Sequence, residues 1–132
     1  MDAKLKHLEF LQNVINRMAS NSFLLKGWTV LLVSALFAVL VNASSIQLIY
    51  FAYLPSMSFW ILDGYFLRQE SLFRKLYDKV RSLPDSEIDF SMNTLSVANQ
   101  VDSWFRTLFS KTLILFHGIV VLGISIVLLL TR

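Results

Sequence analysis

The chain has 132 residues, 55% of them apolar and 16% charged, with a net charge of +3, two histidines and no cysteine. A soluble domain of this length would carry about 25% charged residues, and the mean hydropathy of +0.59 points the same way. Composition thus excludes disulfides and thiolate chemistry, argues against a multi-histidine metal site within one chain, and leaves no sign of a cofactor.

Residues 2–22 read as an amphipathic helix. Leu8, Leu11, Ile15 and Met18 recur at three- and four-residue steps, while Glu9, Gln12, Asn13, Asn16 and Arg17 take the other faces. Such a helix is too polar to span a bilayer. It can lie among headgroups or pack on another cytosolic helix. Met1-Asp2-Ala3-Lys4 is not expected to open a cleavable signal, because the first apolar run starts too late.

Residues 23–41 form the first expected span, with Lys26 and Trp28 as interfacial anchors. Asn42-Ala43-Ser44-Ser45 suits a tight hairpin. Residues 46–65 form the second span, and about 20 residues cover the hydrocarbon thickness. Pro55 removes a backbone donor inside it, so a kink is expected there.

With no glycine or proline between Tyr65 and Leu83, the second span is expected to continue as one helix through residues 66–83. Phe66, Phe73, Leu76, Val80 and Leu83 keep an apolar stripe, and Pro84 ends the helix. Residues 84–93 form an acidic linker in which Ile88, Phe90 and Met92 alternate, suggesting a short extended segment. Residues 94–130 are expected as a last helix that includes the third span from Thr112.

The expected fold is therefore all-α. A single membrane domain, residues 1–132, has three transmembrane helices, an N-terminal amphipathic helix, and a long helix running from span two into the cytoplasm. Basic residues flank the spans on one side: Lys4, Lys6, Arg17 and Lys26, then Arg68, Arg74, Lys75, Lys79, Arg81, Arg106 and Lys111. The hairpin has none. The positive-inside rule places the N-terminus in the cytoplasm and the C-terminus in the periplasm of a bacterial inner membrane, with Arg132 outvoted. These cations read as topology signals and headgroup contacts, with no direct nucleic-acid binding expected.

Polar groups in hydrocarbon need protein or water as partners. Gly27, Ser34 and Ala38 share a face of span one and would allow close helix packing, within a protomer or between protomers. Lys26, Asp63 and Lys111 are expected at similar depth as an interfacial charge cluster. Thr107, Ser110, His117, Gly118 and Ser125 fall within a stripe about 100° wide, with His117 roughly 9 Å beyond Lys111. This stripe either lines a polar pathway or packs on spans one and two, with Ser34 and Ser56 as partners. The stripe of residues 66–83, in particular Phe66, Phe73, Leu76 and Val80, is expected to drive self-association, because a helix leaving the membrane has few partners in its own chain. No catalytic constellation, phosphate loop or metal-ligand pattern is present, so no enzyme is expected.

Several strings are distinctive: Leu8-Glu9-Phe10-Leu11-Gln12-Asn13-Val14-Ile15-Asn16-Arg17-Met18, Asn21-Ser22-Phe23, Lys26-Gly27-Trp28, Leu62-Asp63-Gly64-Tyr65, Arg68-Gln69-Glu70, Arg74-Lys75-Leu76-Tyr77-Asp78, Ser103-Trp104-Phe105 and Leu108-Phe109-Ser110-Lys111-Thr112. Together they resemble a widespread group of small bacterial three-span membrane proteins of unassigned function, some linked to antiphage defence operons beside TIR-type or nucleotide-signalling genes. The resemblance implies a membrane effector answering an upstream signalling protein or a nucleotide signal. The expected function is a homo-oligomeric effector that forms or opens an ion-leak pathway and depolarises the cell. The alternatives are a non-conducting accessory or anchoring subunit, and a holin-like permeabilising protein, although a holin usually has a basic tail.

Overall fold

A computed structural model of the protein describes residues 2–41 and 47–131. The expected hairpin at residues 42–45, the first residue of the second span and Arg132 lie outside the described residues. Among the described residues the chain is all-helical, with no strand.

The first helix, α1, runs unbroken over Asp2–Val41. The amphipathic segment and the first expected span are thus one element. No proline interrupts them, and a lone interior glycine, Gly27, costs only about 1 kcal/mol. Asp2 in the first turn favours the positive end of the helix dipole.

The next element is divided. A short helix α2, Gln47–Phe51, is followed by the long α3, Tyr53–Ser82. Pro55 cannot donate to Phe51, and its ring crowds that carbonyl. The ladder is interrupted at Ala52, whose amide instead bonds the Ile49 carbonyl at 3.0 Å. The interruption expected from Pro55 is thus present at Ala52, three residues before it. Beyond the kink α3 passes residue 65 without a break. It ends where Leu83 turns extended ahead of Pro84 (φ −85°, ψ 145°).

Residues 85–103 contain two 3₁₀ turns, Asp85–Glu87 and Leu95–Gln100. The expected extended alternation fails between them. Ile88 is buried while Phe90 and Met92 are exposed. Phe90 adopts φ 57°, a left-handed conformation that costs of order 1–3 kcal/mol for such a residue. The reversal sets its ring edge-on to buried His7, 5.6 Å between centroids.

The expected single helix over residues 94–130 is not formed. After the 3₁₀ turn, α4 covers Trp104–Leu108 and α5 covers Lys111–Thr131. Ser103 caps α4 by accepting from the Arg106 amide at 3.2 Å. At the α4–α5 junction the amides of Phe109 and Ser110 bond three residues back, and the α-helical ladder restarts with the Ile114 amide on the Ser110 carbonyl.

α3 is central. Lys4 donates to the Leu83 carbonyl at 2.8 Å at one end of the α1–α3 pair, and Lys26 meets Asp63 further along, so the two run antiparallel. α5 is antiparallel to α3 as well, with His117 at Asp63 and Ser125 at Tyr53. The bundle has two cores. Leu11, Leu76, Val80, Ile88 and Val97 form one, with Leu8 and Phe73 packed against it. Val33, Ile49, Ala52 and Ile124 form the other.

The stripe of residues 66–83 has more partners in its own chain than the few expected. Leu76 and Val80 are buried against Leu11 of α1 and against Ile88 and Val97 of the connecting segment. Phe66 and Phe73 are half-buried. The N-terminal half of α1 covers the stripe, so the amphipathic segment packs on a helix.

Among the described residues two helices, α1 and α5, are long and apolar enough to cross a membrane, not the three expected. The break at Ala52 divides residues 46–65 into pieces that separately fall short of about 20 apolar residues. Within the apolar windows of α1 and α5 only 11% and 17% are buried. A soluble core helix would be covered on most sides, whereas these present leucine, isoleucine and valine outward.

Candidate functional site

The two cores meet at a polar cluster. Asp63 projects from α3 and is fully buried. Its Oδ1 accepts from the Ser22 hydroxyl of α1. Its Oδ2 accepts from Lys26 Nζ at 2.6 Å and from His117 Nε2 of α5 at 2.8 Å. Lys26 also donates to Ser22 Oγ at 2.9 Å, one helical turn away. One carboxylate therefore ties three helices together.

Aromatic rings enclose the cluster. Trp60 stacks on His117 with centroids 5.8 Å apart and planes 9° from parallel. The indole is itself fixed by donating to the Leu108 carbonyl at 2.8 Å. Phe116 meets His117 edge-on and lies 6.0 Å from Lys26 Nζ. His117 is fully buried, and its Nδ1 has no partner among the described residues. Close approach beside the cluster depends on Gly64, where an added Cβ would run into the Leu108 side chain and sit 3.3 Å from Trp104 Nε1.

The expected pairing of Lys26 with Asp63 is formed. Lys111 is not part of it. That lysine is exposed at the start of α5, because the α4–α5 junction places it outside the three-helix contact. The expected stripe from Thr107 to Ser125 is not one surface either. Rotation at 100° per residue cannot be carried across the junction. Thr107 is buried on α4 and donates back to the Ser103 carbonyl at 2.8 Å. Ser110 sits in the junction with a buried, unpartnered hydroxyl. Ser125 bonds Tyr53 at 2.7 Å and the Val121 carbonyl. Gly118 is half-buried beside its own helix neighbour Ile114. Of the stripe's α5 residues, His117 and Ser125 therefore meet α3 within the chain, but not through the expected partners. Ser34 is exposed, and the buried Ser56 hydroxyl has no partner. Gly27, Ser34 and Ala38 all face away from the rest of the chain.

Sequence reasoning missed Ser22, Trp60 and Tyr53. Ser22 was legible from its four-residue spacing to Lys26, which puts both on one face of α1. His117 and Asp63 were legible as complements, since each is an ionisable side chain in an apolar stretch that needs a partner.

Ser22 and Lys26 are spaced like a serine nucleophile and its lysine base. The ammonium is engaged by Asp63, and the hydroxyl is buried and donates to the same carboxylate, so neither is free for that chemistry. Among the described residues no three metal-ligating side chains converge.

No protein-family profile matches the chain, and no curated protein or solved structure shows significant similarity to it.

Proposed function

We propose that this chain is a three-span inner-membrane protein that works as a homo-oligomeric effector, opening an ion leak when its helices rearrange. The single observation that carries the reading is the full burial of Asp63 and His117, joined by the mostly covered Lys26, where α1, α3 and α5 meet. A buried ion pair is a poor stability device, because desolvation offsets most of its attraction. An anchor would hold its helices equally well with leucines. A carboxylate, a lysine and a histidine kept at the seam suit a latch that can part, and parting would present polar groups to a shared axis. The second span is completed by α2 and the start of α3 across the Pro55 kink. The cationic flanks set the N-terminus inside and the C-terminus outside. Self-association would use the outward small-residue face of Gly27, Ser34 and Ala38, since Leu76 and Val80 are occupied. The defence setting and the upstream signal rest on the resemblance alone.

A specific observation favours a second reading, the non-conducting accessory subunit: Ser125 and His117 already have partners inside the chain. Potassium flux from liposomes separates the two. Asp63→Asn weakens the latch, so the effector reading expects faster leak than wild type at matched protein content. No flux from either protein sinks the effector and leaves the accessory subunit.

A further inference from the structure

Close to the cluster lies an open groove of about 440 Å³, lined by Lys26, Lys111, Thr112, Leu115, Phe116 and Ile119. Its chemistry is graded. Lys111, Leu115 and Ile119 are spaced four residues apart, so they form one row along α5 that rises about 12 Å. The row starts with an ammonium and a hydroxyl and continues with exposed aliphatic side chains, Leu115 at 67% and Ile119 at 60%. Lys26 faces the groove from α1 with 18% of its side chain exposed. No acidic side chain lines it. The Lys26 charge is offset by Asp63 behind it, so Lys111 leaves the groove with one uncompensated positive charge.

We propose that this groove is a site for one anionic phospholipid, whose phosphate sits at Lys111 and Thr112 with Lys26 alongside and whose acyl chain lies on Leu115 and Ile119. The inference rests on the membrane reading above. Charge complementarity selects the occupant. A zwitterionic lipid would bring its own cation to a groove that already has one in excess. A soluble anion would leave the aliphatic half of the groove unfilled. A second protein helix would need an acidic residue placed opposite Lys111, whereas this chain's apolar stretches at 23–41 and 111–131 carry none and Asp63 is enclosed.

The test is native mass spectrometry of the full chain in detergent, titrated in parallel with dioleoyl phosphatidylglycerol and dioleoyl phosphatidylcholine. Wild type should retain the anionic lipid about five-fold better, the equivalent of about 1 kcal/mol for one surface cation. Lys111→Gln should abolish the preference, while Lys79→Gln, which alters an exposed cation near the far end of α3, should keep it. Leu115→Trp fills the groove without touching the charges and should also lower retention. Equal retention of the two lipids by wild type overturns the site, as does an unchanged preference in Lys111→Gln. Flotation with vesicles keeps the two proposals apart. A chain that stays in the aqueous phase ends the membrane reading and the site together, and one that floats without lipid preference ends the site alone.

Discussion

The two halves of the bundle have alike interiors and unlike exteriors. In the charged half, Leu11, Leu76, Val80, Ile88 and Val97 make an aliphatic seam, and Arg74, Lys75, Asp78, Lys79 and Arg81 stand outside it. In the apolar half, Val33, Ile49, Ala52 and Ile124 make a similar seam, but Leu31, Tyr50, Leu54, Ile119 and Leu122 stand outside. Interior composition therefore does not reveal the surrounding medium; the outward face does. The forces differ accordingly. Burial from water stabilises the charged half by about 25 cal/mol per Å² of apolar surface. Where the outside is as apolar as the seam, only packing and polar contacts hold helices together. The Ser22, Lys26, Asp63 and His117 cluster stands where one regime gives way to the other.

The largest expected effect tests the boundary itself. Asp63→Ala strands the mostly covered Lys26 ammonium and the buried His117 imidazole and should cost up to about 3–5 kcal/mol. The double change Asp63→Leu with Lys26→Met should recover much of that. Denaturant unfolding in micelles, followed by the fluorescence of Trp60 and the other tryptophans, reads both. A loss below about 1 kcal/mol in the single variant, less than a buried pair should cost, would show that the halves are joined by something else.

Truncating one residue in each seam sharpens the contrast. Leu76→Ala should cost about 2–5 kcal/mol, combining lost transfer and a cavity. On the proposed membrane placement Ile124→Ala should cost less, since lipid would accept the unfolded side chain surface and only packing would be lost. Equal losses in the two variants would erase the distinction between the halves.

The smallest effect concerns a single bond in the apolar half. Tyr53→Phe removes the hydroxyl that meets Ser125 and should shift stability by about 0.6 kcal/mol. A shift of several times that size would make this bond a second latch beside Asp63.

Some elements were legible because their causes are local. The continuation of α3 beyond Tyr65 follows from a run without glycine or proline and from Pro84 after it. The kink at Ala52 follows from the missing donor of Pro55. The pairing of Lys26 with Asp63 follows from two charges at one depth. The segment from residue 94 onward was not legible as a set of short elements. Its breaks depend on Ser103 capping α4 and on the tight turn at Phe109 and Ser110, where weak local preferences compete. The amphipathic stripe of α3 was legible as apolar, but its partner was not. Periodicity marks a face that must be buried and carries no information about what buries it.

The sequence by itself determined an all-helical chain, the continuation of α3 beyond Tyr65, and which faces are apolar, because hydrophobic periodicity and proline act within a few residues. Only the tertiary structure decided that α1 doubles back along the whole of α3 and that His117 meets Asp63 rather than an open path. It also decided that Lys111 is left outside with a groove of its own. These depend on the phase of each helix after every kink and junction. A shift of one residue turns a helix by about 100°, so an irregular turn such as that at Phe109 and Ser110 settles which side chains meet.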